Sequence, residues 1–347
     1  MADSHLPARS ATPAVGFAVG QPGVSLPTCV ELAVAGDAAG LHAVGAGDGF
    51  IESFSILGAI AARTQRIRVL STVATWTRTP VTTAVGAATL DELSGGRFGL
   101  GLGTMPKEWS EGWHDVSYER PVERMRDFVA AIRACWAASP EAPLTREGTH
   151  YRVRGFAPLG VRPTRAIPIY LGTTRLRMTE LAGEISDGVV VNHLNSVSWL
   201  REQALPALAR GLERSGRDRA ALDVGLAKYC AVAGSEAAAY DLLRPTLAFY
   251  FPVPYFADLL RHLDQDEALA RGQAAVAAGD MARAVACVSD EIVDTVAVAG
   301  TAAQVRAKLR RYDGLADWIE LMAPLGHPPA VTRGQIEAQI AAFGRSG

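Results

Sequence analysis

The chain has 347 residues, of which 49% are hydrophobic and 20% charged, a balance that excludes an intrinsically disordered protein. Its formal net charge is −2, so no basic surplus supports binding to nucleic acid. No apolar run reaches the roughly 18 residues of a membrane span, and the four cysteines lack the spacing of a zinc site or a disulfide framework.

The first 13 residues are polar and rich in Pro, Ala and Ser, without the apolar core of a signal peptide. We expect residues 1–13 to form a disordered tail, followed by a single domain over 14–347. Isolated thiols and the missing signal indicate a cytoplasmic protein with free cysteines and no metal site.

Short apolar runs alternate along the chain with segments of helical period. In the first 120 residues this pattern predicts strands near residues 15, 42, 68 and 98, with helices over 28–39, 54–63 and 81–93. Strands that are separated by helices pair in parallel, because parallel neighbours need a crossover connection.

The same alternation continues to the end of the chain, with strands near residues 168, 189, 225 and 319. Eight such units predict a (β/α)8 TIM barrel, with insertions after strand four (139–163) and strand seven (236–290). A doubly wound open sheet with a helical appendage is the alternative, but no linker separates two sheets. The second insertion carries the aromatic run 249–256, which either covers a pocket or packs as a core.

In a TIM barrel the active site lies at the carboxyl ends of the strands. The fifth strand ends in Gly172, Thr173 and Thr174, and Arg175 follows at the start of a helix. Free N–H groups, hydroxyls and a guanidinium suit a phosphate, but the spacing alone favours an ordinary threonine cap followed by a solvated arginine. Glycines at 101 and 103 would let a ligand approach the neighbouring strand, or would form a simple turn.

Motifs for metal-dependent, serine-hydrolase or nucleotide-binding chemistry are missing from the sequence. His193, at the end of the sixth strand, and Glu108, after the fourth, are the candidate acid–base groups. This sparse set fits an enzyme whose cofactor performs the difficult step.

Residues 66–104, with their block LDELSGGRFGLGLGT, closely resemble the signature region of the bacterial luciferase-like superfamily. Residues 171–192 and 291–312 are similar to later segments of that family. The resemblance implies a luciferase-like TIM barrel, commonly a homodimer, that binds coenzyme F420 or FMN. Its methylenetetrahydromethanopterin reductase-like branch is the most similar.

The resemblance also implies roles for individual residues. A non-prolyl cis peptide that supports the cofactor ring is expected at Thr72-Val73, phosphate contacts at Gly172, Thr173 and Thr174, and contacts to the cofactor tail at Gly103 and Thr104. Asp48 matches the acidic position that ends the second strand. Arg175 and Asn192 complete the expected cofactor-binding set.

Two departures from the family narrow the expected chemistry. Gly49 stands where several members have a histidine, and Pro106 stands where sugar-phosphate dehydrogenases of the family have a glutamate. Oxidation of an alcohol needs a base, so their loss favours reduction of an activated C=C or C=N bond. Trp76, His193 and Glu108 are then the candidates for proton transfer.

The expected function is coenzyme F420-dependent hydride transfer to or from a small organic molecule. The partners expected are a second copy of the chain and a separate reductase for the cofactor. The alternatives are an FMN-dependent two-component monooxygenase of the same fold and a protein that binds the cofactor without turnover.

Overall fold

The computed structural model describes residues 11–344. Residues 1–10 of the expected tail therefore lie outside the described part. The rest of that segment is not a loose tail, because Pro13 is buried and the carbonyl oxygen of Ala11 accepts a hydrogen bond from Gly314 N at 3.2 Å. The expected tail is thus too long at its carboxyl end.

Eight parallel strands close into a barrel, since the first strand pairs with both the second and the last. The expected TIM barrel is confirmed, and the open-sheet alternative is wrong. The barrel strands are β1 (Ala14–Ala18), β2 (Ala43–Ala46), β3 (Arg68–Ser71), β5 (Phe98–Gly103), β8 (Ile169–Thr173), β9 (Gly188–Val191), β10 (Asp223–Val232) and β12 (Trp318–Met322). A two-residue strand, β4 (Ala74–Thr75), continues β3 after a break and pairs with β5.

Helices surround the barrel, and their ends follow local capping signals. Ser25 and Thr79 cap two helices that begin with a proline in the first turn, and Thr301 forms a capping box with Gln304. The helices of the regular units are α1 (Leu26–Ala38), α2 (Ser53–Arg63), α3 (Pro80–Leu93), α6 (Leu176–Ile185), α7 (Val197–Trp199), α8 (Leu205–Ser215), α14 (Ala302–Leu309) and α15 (Pro329–Phe343). Within residues 11–344, no helix is long and apolar enough to cross a membrane.

Both expected insertions are present. The first follows β5 and contains α4 (Lys107–His114), α5 (Pro121–Ala137) and a hairpin of β6 (Leu144–Glu147) and β7 (Arg152–Phe156). The second follows β10 and contains α9 (Glu236–Phe249), α10 (Pro254–His262), α11 (Asp266–Ala277), α12 (Met281–Ala286), α13 (Asp290–Val296) and β11 (Val298–Gly300). The sequence analysis missed α4, whose four charged and polar exposed residues conceal its helical period.

The second insertion has a hydrophobic core of its own. Phe251 and Phe256 are fully buried in that core, whereas Phe249 is largely exposed. Tyr250 and Tyr255 belong to the same core and lie near the end of β9, where Tyr255 contacts Asn192. The aromatic run therefore packs as a core, and none of its residues lines the cavity at the start of α6.

A polar cluster closes the amino-terminal end of the barrel. The hydroxyl of Tyr170 donates to Asp223 Oδ2 at 2.7 Å, and Arg68 contacts Tyr170, Asp223 and His42. These residues all lie at the beginnings of strands, so their contacts stabilise the barrel floor. The opposite end, where the strands have their carboxyl ends, is here called the mouth of the barrel and is where ligands bind in this fold.

Candidate active site

The centre of the mouth is formed by the break between β3 and β4. The expected cis peptide bond is present between Thr72 and Val73. These two residues, here called the shelf, are half-buried and face the opening. An added Cβ at Gly103 would lie 2.3 Å from Val73 Cγ2, and one at Gly172 would lie 2.7 Å from Val73 Cγ1. The two glycines therefore make room for the Val73 side chain.

Asp48 holds the shelf in place from the end of β2. Its backbone N–H donates to the Val73 carbonyl oxygen at 2.8 Å, and its carboxylate accepts from the backbone N–H of Thr75 at 3.0 Å. The same carboxylate accepts from Ser53 Oγ at 2.7 Å and from Arg78 Nη2 at 2.9 Å. With both oxygens occupied, Asp48 organises the backbone around the shelf.

Beside the shelf, the start of α6 opens into a cavity of about 400 Å³. The helix begins after Arg175 without a hydrogen bond from any capping side chain, so the threonine cap that sequence alone allowed is not formed. Free first-turn N–H groups attract anions. The cavity is lined by Thr104, Tyr118, Arg120, Pro121, Val122, Glu123, Gly172, Thr174, Arg175, Arg177 and Met178.

The wall at the start of α6 carries two guanidinium groups and a hydroxyl group. Arg175 forms an ion pair with Asp258 of α10, whereas the exposed Arg177 has no ion pair or hydrogen bond to another described residue. Thr174 is exposed to the cavity, and the buried Thr173 Oγ1 has no partner within residues 11–344. This wall can bind a phosphate through helix N–H groups, a hydroxyl and guanidinium groups.

The opposite wall is aromatic. The hydroxyl of Tyr118 donates to Thr104 Oγ1 at 3.2 Å, and its ring meets the Trp76 indole edge-on at 5.5 Å between centroids. Trp76 is only 1% exposed, and its N–H donates to Ser110 Oγ at 3.4 Å. Trp76 therefore supports this wall, and its expected role in proton transfer is not supported by its position.

His193 lies at the end of β9 among aromatic rings. Its ring is 4.8 Å from that of Tyr229 and 5.3 Å from that of Tyr250, whose hydroxyls are hydrogen-bonded to each other at 2.8 Å. Burial, helped by the nearby Lys228 cation, lowers the pKa of His193 to about 3. Its buried Nε2 has no partner among the described residues. With so low a pKa the imidazole stays neutral and is a weak base, so it can share a hydrogen bond there but is a poor proton acceptor.

Glu108 is not brought to the cavity. It lies in the exposed first turn of α4 and is absent from the residues that line the cavity. Asn192 lies at the end of β9, where its Oδ1 accepts from Leu194 N at 2.6 Å, and it is not among the residues that line the cavity. Of the candidate acid–base groups, only His193 therefore lies among buried side chains at a strand end.

Four residues near the mouth were missed by the sequence analysis. Tyr118 and Arg177 belong to no motif, and Arg78 acts through Asp48. Glu320 had a visible signal, because it is a single carboxylate inside the apolar strand β12. It is 3% exposed inside the barrel and accepts a hydrogen bond from Thr72 Oγ1 at 2.9 Å.

Comparison with known proteins adds a family and a set of relatives. Residues 9–317 match the family described as luciferase-like monooxygenase. Over 312 residues the chain is 29% identical to a Mycobacterium tuberculosis protein named as a coenzyme F420-dependent oxidoreductase, covering 82% of this chain and 86% of the relative.

Solved structures show how widely the fold is shared. The coenzyme F420-dependent tetrahydromethanopterin reductase of Methanopyrus kandleri has a TM-score of 0.81 at 21% identity, covering 95% of this chain and 97% of that one. A monooxygenase of Streptomyces bottropensis has a TM-score of 0.68 at 18% identity, covering 95% and 98%.

Proposed function

Since this chain belongs to the luciferase-like monooxygenase family, we propose that it is an oxidoreductase that uses coenzyme F420 to transfer a hydride to or from a small organic molecule. The observation that carries the proposal is the uncapped start of α6, which opens into the cavity directly beside the shelf. The similarity to a protein named as a coenzyme F420-dependent oxidoreductase supports the choice of cofactor.

The residues at the mouth fit a phosphate-bearing planar cofactor. Thr174, Arg175 and Arg177 hold the phosphate at the start of α6, with Thr104 and Tyr118 on the facing wall. The glycines at 103 and 172 keep the shelf low enough for a ring to lie on it. When bound there, the deazaflavin supplies the carbon that gives or receives the hydride.

The side chains of the protein itself orient the reactants and offer hydrogen bonds to them. Asp48 fixes the shelf, and Tyr118, supported by the Trp76 ring, gives the cavity one apolar surface. His193, whose Nε2 has no partner among the described residues, is the remaining candidate that can share a hydrogen bond with a substrate. Such limited acid–base equipment favours reduction of an activated C=C or C=N bond.

A second candidate is an FMN-dependent two-component monooxygenase, with the family description and the shared fold of the Streptomyces bottropensis monooxygenase in its favour. The two functions differ in their use of oxygen, because reduced FMN activates oxygen and the deazaflavin reacts poorly with it.

The proposal extends to partners and compartment. We infer a homodimer, a separate reductase that regenerates the cofactor, and a cytoplasmic location. All four cysteines are free, which suits a reducing compartment.

An anaerobic assay tests the proposal. The protein is mixed with reduced coenzyme F420 and a panel of enones and imines, and oxidation of the cofactor is followed by absorbance. We expect turnover of at least one substrate class, weakened by Arg177→Ala and unaffected by Arg333→Ala on the distant α15. Oxygen consumption with reduced FMN, and no reaction with the deazaflavin, would instead favour the monooxygenase.

A further inference from the structure

Glu320 is a carboxyl group placed inside the barrel. It lies level with Gly16 of β1 and Ala227 of β10, so small residues flank it on both sides. An added Cβ at Gly45 would lie 1.8 Å from Glu320 Oε1. The side chain thus reaches across β2 only because residue 45 is a glycine, and it arrives at the shelf.

The surroundings of Glu320 hold no cation for it. The titratable groups on the neighbouring elements are His42, Arg68, Tyr170 and Asp223 at the floor, Asp48 and Arg78 at the mouth, and Lys228 and Tyr229 on β10. The buried Lys228 ammonium donates instead to the carbonyl oxygens of Asn195 and Val296, both at 2.7 Å. None of these titratable groups forms an ion pair or a hydrogen bond with Glu320 in the described part of the chain. Burial therefore raises the pKa of Glu320 to about 7, opposed only by the hydrogen bond from Thr72.

Thr72 connects this buried acid to the mouth. Its hydroxyl donates to Glu320 Oε1 at 2.9 Å, and Thr72 itself is half-buried at the opening. Any planar group that lies on the shelf covers the half-buried Thr72 and reduces the contact of the Thr72–Glu320 pair with water. Loss of water disfavours the ionised form of a carboxyl group.

We propose that Glu320 is a positioning residue that acts through Thr72, and that its carboxylate takes up a proton from the buffer when a cofactor ring covers the shelf. The proton adds to a carboxylate oxygen, and no other bond forms or breaks. The inference rests on the proposed function, since that function places the ring on the shelf. It makes cofactor affinity depend on pH through a group that lies beneath the ring.

Calorimetric titration with coenzyme F420 at pH 7, repeated in buffers of different ionisation enthalpy, measures the proton uptake. We expect the wild type to take up about 0.3–0.5 proton more per bound cofactor than Glu320→Gln, which keeps an acceptor for Thr72 but cannot titrate near neutral pH. The exposed Glu337→Gln is the matched control and should behave as the wild type. Thr72→Ser should keep the proton uptake, because it keeps the hydroxyl. Thr72→Val should lower the proton uptake, because Glu320 loses the hydrogen bond that favours its ionised form before binding.

Binding with equal proton uptake by the wild type and Glu320→Gln would overturn this inference alone. Binding by none of the proteins would overturn the proposed function and the inference with it. If Glu320→Gln does not fold, infrared difference spectra of wild type carrying ¹³C-labelled glutamate decide the question. A labelled protonated-carboxyl band that grows on cofactor binding supports the inference, and an unchanged band contradicts it.

Discussion

The backbone N–H of Asp48 donates to the carbonyl oxygen of Val73 over 2.8 Å, so the end of β2 fixes the break between β3 and β4. The Asp48 carboxylate fixes the other side of the same break through Thr75 N. An acidic residue at this position therefore acts on the ligand site through the backbone that it holds, without facing the cavity.

Asp48→Ala should destabilise the fold and weaken cofactor binding together. The change leaves the Arg78 guanidinium, the Ser53 hydroxyl and the Thr75 N–H without their acceptor, and we expect a loss of about 2–4 kcal/mol in the free energy of unfolding. Urea unfolding measures it. Glu52→Gln changes the exposed partner of Arg78 but keeps an acceptor oxygen for the N-cap of α2, where Glu52 accepts from Phe54 N and Ser55 N. It is the control and should cost less than half as much.

Gly103→Ala tests whether this glycine makes room for Val73. The new methyl group would lie 2.3 Å from Val73 Cγ2, and we expect a loss of about 1–3 kcal/mol in unfolding free energy. Val73→Ala in the same chain should restore much of that loss, giving a favourable coupling energy in a double-mutant cycle. Gly112→Ala, where an added methyl meets nothing within 4 Å, is the control. Additive effects of the two changes would refute the proposed contact.

The pKa of Glu320 gives the stability a pH dependence of known sign. Folding raises this pKa from its ordinary 4.5 to about 7, so the native state binds the extra proton between these values. The stabilisation is complete below pH 4.5 and is lost as the pH rises through 7. Between pH 4.5 and 8 the wild type should lose about 3 kcal/mol relative to Glu320→Gln. Parallel denaturation curves at both pH values would show that Glu320 does not titrate in this way.

Substitution of the two remaining acid–base candidates, His193 and Glu108, should affect turnover to different extents. Because the half-buried His193 has a free Nε2 at the end of β9, His193→Ala should lower kcat at least about tenfold if it hydrogen-bonds the substrate. Glu108→Gln should stay within about twofold, since Glu108 is exposed outside the cavity. With a pKa of about 3, His193 should add no step to the pH–rate profile between pH 5 and 8. Equal turnover of all three proteins would remove both candidates.

The barrel could be predicted because its signals are local. Most strands are short apolar runs that are followed by a turn and a helical segment, and eight such strands recur along the chain. The sequence pattern did not predict the helix α4, because a mostly exposed helix has almost no apolar face. Its single fully buried residue is Ser110. Its missed assignment also misplaced Glu108 in a loop.

Site residues could be predicted from the sequence only where a strand ends in glycine or a hydroxyl residue, or where the family resemblance identifies the position. Gly172 and Thr174 were found in this way, and the resemblance located the break at Thr72-Val73. Contacts between residues far apart in sequence leave no local pattern, and the hydrogen bond between Thr72 and Glu320 spans 248 residues. The burial of Trp76 is of the same kind, since Tyr118 and Ser110 cover it from the first insertion.

Parallel titrations with coenzyme F420 and FMN, followed by tryptophan fluorescence and calorimetry, test the central claim most directly. We predict micromolar binding of coenzyme F420 with much weaker binding of FMN. Arg177→Ala should weaken the deazaflavin by about 5- to 20-fold, because its guanidinium lines the cavity without a competing carboxylate. Preferential binding of FMN, or affinity that is unchanged in Arg177→Ala, would contradict the account.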